Sequence, residues 1–300
     1  MKHFNLISAT IFLFVFSLSG CQKKEVDQNE IKETITTGNT TILVDETVKP
    51  IIEDLIAVFE NDYEQAKVTL IAKSESECVN DLMSDKEKIV VLSRNLSKQE
   101  ADFFESNKIY PKITSFAKDG IALITNKSAN DSLIDFEEII RFVKGVKSEK
   151  FKGLVFDNPN SSTVRYICEK AGIDKLPQEG IFSFATNEEV ISYIAENSGM
   201  IGVIGINSLF QPSPEMREIV ERVNVLKVKY QSEEYFYPTQ ESIAEGTYPL
   251  ARVLFIINRQ GNAGLGMGLA SFFAGEKGQR IILKSGLSPV RIPGRDIIIR

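Results

Sequence analysis

Four short segments of the chain gather hydroxyl, amide and carboxylate side chains where an apolar strand pattern gives way to a helical one. They read Asp45-Glu46-Thr47-Val48-Lys49-Pro50, Ser74-Glu75-Ser76-Glu77, Ser93-Arg94-Asn95 and Asp157-Asn158-Pro159-Asn160-Ser161-Ser162-Thr163. Neutral hydroxyls and unpaired amides at helix starts hold an oxyanion through hydrogen bonds and the helix dipole, without a basic cleft. The same residue types are the favoured N-caps, each worth ~1 kcal/mol to its helix. Capping alone accounts for any one of these turns; four of them in one chain favour a shared binding role.

Other chemistries lack their residues. The single histidine is His3, within a segment read below as a removable leader, and tryptophan is absent. Without imidazole there is no Ser-His-Asp or Cys-His nucleophile and no His-ligated zinc or haem. Cys21, Cys78 and Cys168 form no Cys-x-x-Cys, so neither a thiolate metal site nor a disulfide framework is expected. Cys78 and Cys168 read as small buried apolar side chains. No metal and no cofactor is expected. Ser115-Phe116-Ala117-Lys118, Ser128-Ala129-Asn130 and Lys284-Ser285-Gly286 mimic the boxes of serine acyl-transfer enzymes. Ser115, however, precedes a strand pattern instead of opening a helix, and the second box follows too soon. A serine hydrolase built on Ser115 and Lys118 is therefore the least favoured alternative. Gly264-Leu265-Gly266-Met267-Gly268 lies outside any strand–helix–strand unit and reads as a loop before the last helix. Arg252 reads as half of a structural ion pair, with a reach to the hinge as the alternative.

The hydroxyl turns need elements to position them, and the apolar patterning supplies these. Strands are expected at Ile42–Val44, Val68–Ile71, Ile89–Leu92, Gly120–Thr125, Gly153–Phe156, Met200–Ile206 and Leu250–Ile257. Between them fall helical patterns at Pro50–Phe59, Gln99–Glu105, Asp135–Val143, Ser161–Lys170 and Glu188–Glu196, with Gly268–Phe273 and Gly278–Lys284 closing the chain. Ile51, Ile52, Leu55, Ile56 and Phe59 share one helix face. Short strands alternating with helices predict parallel α/β layers, in which ligands sit at the carboxyl ends of the strands.

The 300 residues allow two such lobes. Lys plus Arg number 35 against 41 acids, a net charge of −6, and no basic block exists to meet nucleic acid. Residues 1–20 carry Lys2, an apolar run centred on Phe12–Phe16, and a small-residue end. This is the pattern of a secretory signal peptide. No other apolar stretch approaches the ~18 residues of a membrane helix. Residues 21–41 are polar and unpatterned and read as a flexible spacer.

Further strings carry a family likeness. The leader ends Leu18-Ser19-Gly20-Cys21; Leu92-Ser93-Arg94 is followed by Glu100; Ser161-Ser162-Thr163 opens a helix. Downstream stand Gly199-Met200-Ile201-Gly202-Val203, Gly246-Thr247-Tyr248-Pro249-Leu250-Ala251-Arg252, Gly278-Gln279 and Gly286-Leu287-Ser288-Pro289. Leu18–Cys21 resembles the bacterial lipobox, which implies acylation of Cys21 and a lipid tether to the membrane. From Ile42 onward the chain resembles the phosphate-type substrate-binding proteins of ABC importers. The resemblance implies a two-lobe periplasmic-binding-protein-like fold with two crossover strands as a hinge. Lobe 1 would take 42–117 and 245–300, and lobe 2 would take 118–244. It further implies a monomer that captures phosphate or a similar small oxyanion for an ABC permease. Glu46, Thr47, Ser74, Ser76, Ser93 and Arg94 would contribute from lobe 1, and Ser161, Ser162 and Thr163 from lobe 2. The same fold with a different ligand, or a sensor without a permease, is the alternative. Two departures favour it: Asp157 stands where the family carries a clamping Arg, and Glu75 and Glu77 replace glycines of the second turn. Asp45, Glu46, Glu75 and Asp157 together repel a dianion unless Arg94 or another cation offsets them.

Overall fold

The computed structural model describes residues 33–129, 132–210 and 212–291. The leader, Cys21 and the spacer up to residue 32 lie outside them, as does Asn130.

β-Branched runs form strands that are covered on both faces. In the first wing, β1 (Gly38–Asp45) is flanked by β2 (Ala66–Lys73) and β3 (Ile89–Leu92), all parallel. Ile42 and Val44 of β1 enter one apolar cluster, while Leu43 enters another on the opposite face. Burial on both faces explains why the apolar end of β1 and all of β3 read as continuous runs, whereas β2 alternates and is half exposed. The second wing repeats the scheme with β6 (Gly153–Phe156) between β7 (Ile181–Ser183) and β8 (Met200–Gly205), again parallel.

An antiparallel pair joins the wings. β4 (Lys112–Asn126) pairs with β11 (Ala251–Asn258) along its first half and with β8 along its second. The resulting strand order is β2-β1-β3-β11-β4-β8-β6-β7. β9 (Val223–Val225) and β12 (Ser288–Pro289) add to β4, and β5 (Leu133–Asp135) with β10 (Lys227–Lys229) forms a separate ribbon. This is the expected α/β architecture of two lobes linked by two crossover strands.

Helices cover both faces: α1 (Lys49–Asp62), α2 (Glu75–Met83), α3 (Lys98–Ser106), α4 (Phe136–Val143), α5 (Ser162–Ala171) and α6 (Asn187–Glu196). The short α7 (Asn207–Phe210), α8 (Arg217–Val220) and α9 (Gln240–Glu245) precede α10 (Leu265–Ala274) and α11 (Glu276–Lys284). In α1 the predicted face of Ile51, Ile52, Leu55, Ile56 and Phe59 is buried, with Pro50 in the first turn, where its missing N–H costs nothing. Among the described residues, no helix is long and apolar enough to cross a membrane. Cys78 and Cys168 are buried free thiols.

The structure has elements that the sequence pattern did not mark, α2 (Glu75–Met83) and β7 among them, and it departs from the expected ones chiefly at three places. β1 begins at Gly38, inside the segment read as spacer, because backbone pairing with Ala66–Thr69 of β2 extends it beyond its apolar residues. β4 begins at Lys112 rather than Gly120; its first half is half exposed and polar, and pairing with β11 holds it in the sheet. The Gly264–Gly268 segment is not a loop: Gly264 caps α10, and Leu265 to Gly268 form its first turn. Its glycines serve close approach. A Cβ on Gly268 would lie 1.7 Å from the Ile35 carbonyl oxygen, and one on Gly266 would lie 2.6 Å from the Asn258 amide nitrogen. Gly268→Ala therefore pushes the Ile35 segment off the helix. The expected loss is about 1–3 kcal/mol, the usual cost of overpacking, read as a lower midpoint in denaturant unfolding.

Candidate functional site

The crossover strands place an ion pair at the junction of the wings. Asp119 of β4 stands directly opposite Arg252 of β11 in the ladder, and the two side chains pair through Asp119 Oδ2 and Arg252 Nη2 with almost no exposure (0% and 1%). The guanidinium also reaches beyond its own strand. Arg252 Nη1 donates to Ser162 Oγ at 2.8 Å and to Ser93 Oγ at 3.3 Å. Ser162 belongs to the first turn of α5 in the second wing, and Ser93 follows β3 in the first.

Direct contacts between the wings surround this centre. Thr47 Oγ1 lies 3.0 Å from Ser162 Oγ. Thr47 sits in a 3-10 turn (Glu46–Val48) capped by Asp45, whose Oδ1 accepts the Thr47 amide at 3.1 Å. Gly205 at the end of β8 lets that turn dock, since a Cβ there would lie 2.8 Å from the Thr47 carbonyl oxygen. Ser162 and Thr163 open α5 behind the N-cap Ser161, so their amides have no acceptor within the helix. Thr163 Oγ1 donates to Asp157 Oδ1 at 3.0 Å and lies 2.8 Å from Ser161 Oγ. At the rim, Asn158 Nδ2 donates to Glu46 Oε2 at 3.5 Å.

A second group is built on Glu75, the first residue of α2 and only 2% exposed. Ser93 Oγ donates to its Oε2 at 3.2 Å and Arg94 Nε to its Oε1 at 2.8 Å. Arg165 Nε of α5 makes an ion contact with the same Oε1 at 2.5 Å. Arg94 further holds Glu100 through both terminal nitrogens at 2.7 and 2.8 Å.

Of the predicted residues, Thr47, Ser93, Ser161, Ser162 and Thr163 are therefore buried together at the junction. Arg94 adjoins them but is committed to two carboxylates. Ser74 is spent on the capping box of α2, where its Oγ and amide engage Glu77. Ser76 lines a cavity of 850 Å³ with Ser161 and Arg165. Glu46 lines one of 250 Å³ with Asp157, Asn187 and Ser208. Arg252 forms the expected ion pair and, from the crossover strand, also touches hydroxyls of both wings. Asp119 and Arg165 were not singled out at all. The signal for Asp119 was an acid at the entry to the apolar run Ile121–Ile124, since an unpaired charge is rarely buried.

The electrostatics of the junction favour proton uptake. Burial and the neighbouring Glu75 push the Asp45 carboxyl up to about 6, against the opposing pull of Arg252 and the Ser162 hydroxyl. Burial raises Asp119 against the same guanidinium. Burial and Asp157 raise Glu46. Asp45 Oδ2, Asp119 Oδ1, Asp157 Oδ2 and Arg252 Nε are buried without a hydrogen-bond partner, each at a cost of about 1–3 kcal/mol. Buried polar atoms kept in that condition are uncommon and mark functional sites. The arrangement offers hydroxyls, helix-end amides, a buried guanidinium and carboxyls able to hold protons. These are groups that can hold an anion. Among the described residues, no group of three or more Cys, His, Asp or Glu is placed to hold a metal.

Residues 31–277 match the family model described as a PBP superfamily domain, and the chain belongs to that superfamily. Among its relatives is the phosphate-binding protein PstS of Borreliella burgdorferi, 26% identical over 262 residues that cover 82% of this chain and 86% of that protein. A putative phosphate ABC transporter substrate-binding protein from Clostridium perfringens, solved with bound phosphate, superposes with a TM-score of 0.70 at 20% identity, covering 85% of this chain and 100% of that one. An ABC-type phosphate transport receptor from Vibrio cholerae gives 0.64 at 20% identity, covering 84% and 100%. These structural likenesses establish the shared two-lobe fold.

The raised Asp45 carboxyl makes stability depend on pH. Its folded value lies above the ordinary 3.8, so the folded protein binds the extra proton. The associated stabilisation is present below about 3.8 and is lost as pH rises through about 6. Thermal midpoints measured from pH 5 to 8 should fall with pH, and Asp45→Asn, which needs no proton, should flatten that fall.

Proposed function

We propose that this protein is a receptor outside the cytoplasm that captures phosphate, or a closely similar small oxyanion, between its wings and delivers it to an ABC permease. It binds without covalent chemistry, works as a monomer, and is tethered to the membrane through an acylated Cys21. One observation carries the reading: Arg252, Ser93, Thr47 and Ser162 form a single buried hydrogen-bonded knot drawn from both wings and the crossover pair. The names of the relatives agree with it. In this reading the anion is held by the hydroxyls of Thr47, Ser93 and Ser161–Thr163 and by the free amides of α5. Arg252 supplies the cation that Asp157 cannot, and below about pH 6 a protonated Asp45 donates rather than repels.

The carboxylates Glu46, Glu75 and Asp157 favour one other reading, a different ligand on the same fold. Thermal-shift measurements across phosphate, sulfate, molybdate and small organic acids separate the two. The hydrolase reading gains nothing: Ser115 lies within β4, and Lys118 Nζ donates to the Ala244 carbonyl at 2.9 Å.

Calorimetric titration of phosphate into the protein is expected to show saturable binding. Ser162→Ala should weaken it by about tenfold or more, since a hydrogen bond to a charged group is worth ~1.5 kcal/mol or above. Heat from another oxyanion with none from phosphate would assign the site to that ligand instead.

A further inference from the structure

We propose that the Glu75 carboxylate is a built-in competitor for the anion: it occupies the place and the donors of a bound oxyanion, and ligand enters by displacing it. The inference rests on the oxyanion-binding reading above and names what sets the affinity of that site.

The donors around Glu75 are those that an anion recruits. One hydroxyl, Ser93 Oγ, and two guanidinium nitrogens, Arg94 Nε and Arg165 Nε, converge on its two oxygens. The Arg94 contact is a charge-assisted hydrogen bond, the strong kind, and Arg165 Nε adds an ion contact without hydrogen-bond geometry. These groups also come from both wings, Ser93 and Arg94 beyond β3 and Arg165 on α5. Glu75 thus draws the wings together from inside, as a captured anion does from outside. Ser93 makes the overlap explicit, because its hydroxyl serves Glu75 and Arg252 at once.

A purely structural ion pair does not account for this carboxylate. Arg94 already has Glu100 in a two-nitrogen contact, and Arg165 has Glu169 at 2.7 Å. Three carboxylates thus share two guanidiniums, so neither cation needs Glu75 for neutralisation. Nor does α2 need it, since its capping box is closed by Ser74 and Glu77. The side chain has somewhere to go: Arg165 and Ser76, the second residue of α2, line the cavity of 850 Å³. A Glu75 that swings there releases Ser93, Arg94 and Arg165 together.

Apparent affinity then equals the intrinsic affinity scaled by the fraction of molecules in which Glu75 is withdrawn. Removing its charge removes the competition. The test is calorimetric titration of inorganic phosphate into the full chain and into Glu75→Gln and Glu75→Ala, with thermal midpoints measured with and without phosphate. Both variants should bind phosphate at least about tenfold more tightly than the parent, as an unmasked site does. The phosphate-induced rise in midpoint should be larger in Glu75→Ala than in the parent, because phosphate takes over the vacated donors. Binding by the variants with none by the parent would support the competitor role most strongly. If the parent binds phosphate and the folded variants bind it equally or more weakly, the competitor role is overturned while the oxyanion reading stands. If none of the three binds phosphate, both fall. Glu75→Gln, which keeps the shape and an acceptor oxygen, decides the matter should Glu75→Ala not fold.

Discussion

The ion pair between Asp119 and Arg252 is the constraint on which the junction depends. Both residues lie on the strands that cross between the wings, opposite one another in the ladder and almost wholly removed from water. Breaking such a pair from one side leaves an uncompensated charge, at about 3–5 kcal/mol. The pair therefore fixes where the guanidinium stands, and the guanidinium in turn fixes Ser93 and Ser162. The Ser93 and Ser162 hydroxyls are thereby anchored to the two strands that join the wings, while Arg165–Glu75 and Asn158–Glu46 cross between the wings beside them.

That anchoring orders the electrostatics. A cluster holding Asp45, Glu75, Asp119 and Asp157 repels anions in bulk terms, and the net charge of the chain is negative. Burial changes the balance, because charged carboxyls in a medium of low polarity bind protons more readily. Asp45, raised to about 6, becomes a donor instead of an acceptor once pH falls below that value, beside a fixed positive charge. A site can thus suit an oxyanion without a basic surface, which is why composition alone was a poor guide to its ligand.

Much of the fold was legible in the sequence because it rests on local patterns. Ile42–Val44, Ile89–Leu92 and Gly153–Phe156 are apolar runs of β-branched and bulky residues, and they are strands covered on both faces. The hydroxyls of Ser74, Ser161 and Thr47 marked the turns that meet at the junction. What stayed hidden depends on long-range register. Arg252 faces Asp119 only through the pairing of β11 with β4, which shifts at an irregularity between Leu254 and Phe255. Arg165 meets Glu75 only because α5 and α2 come from opposite wings and point at one another. The glycine run that opens α10 gives no helix signal because its purpose is close approach to the backbone of Ile35, over two hundred residues away in the chain.

The principal apolar cluster has its own consequence for motion. It takes residues from both wings without interruption, including Ile42, Val91, Val155, Val190 and Ile204, together with Phe116 and Leu254 of the crossing strands. Tearing that oily seam would expose a large apolar area at about 25 cal/mol per Å², whereas the hydroxyl contacts exchange for water at little net cost. Any parting of the wings would therefore run like the pages of a book, along the hydrophilic margin, while the spine stays glued.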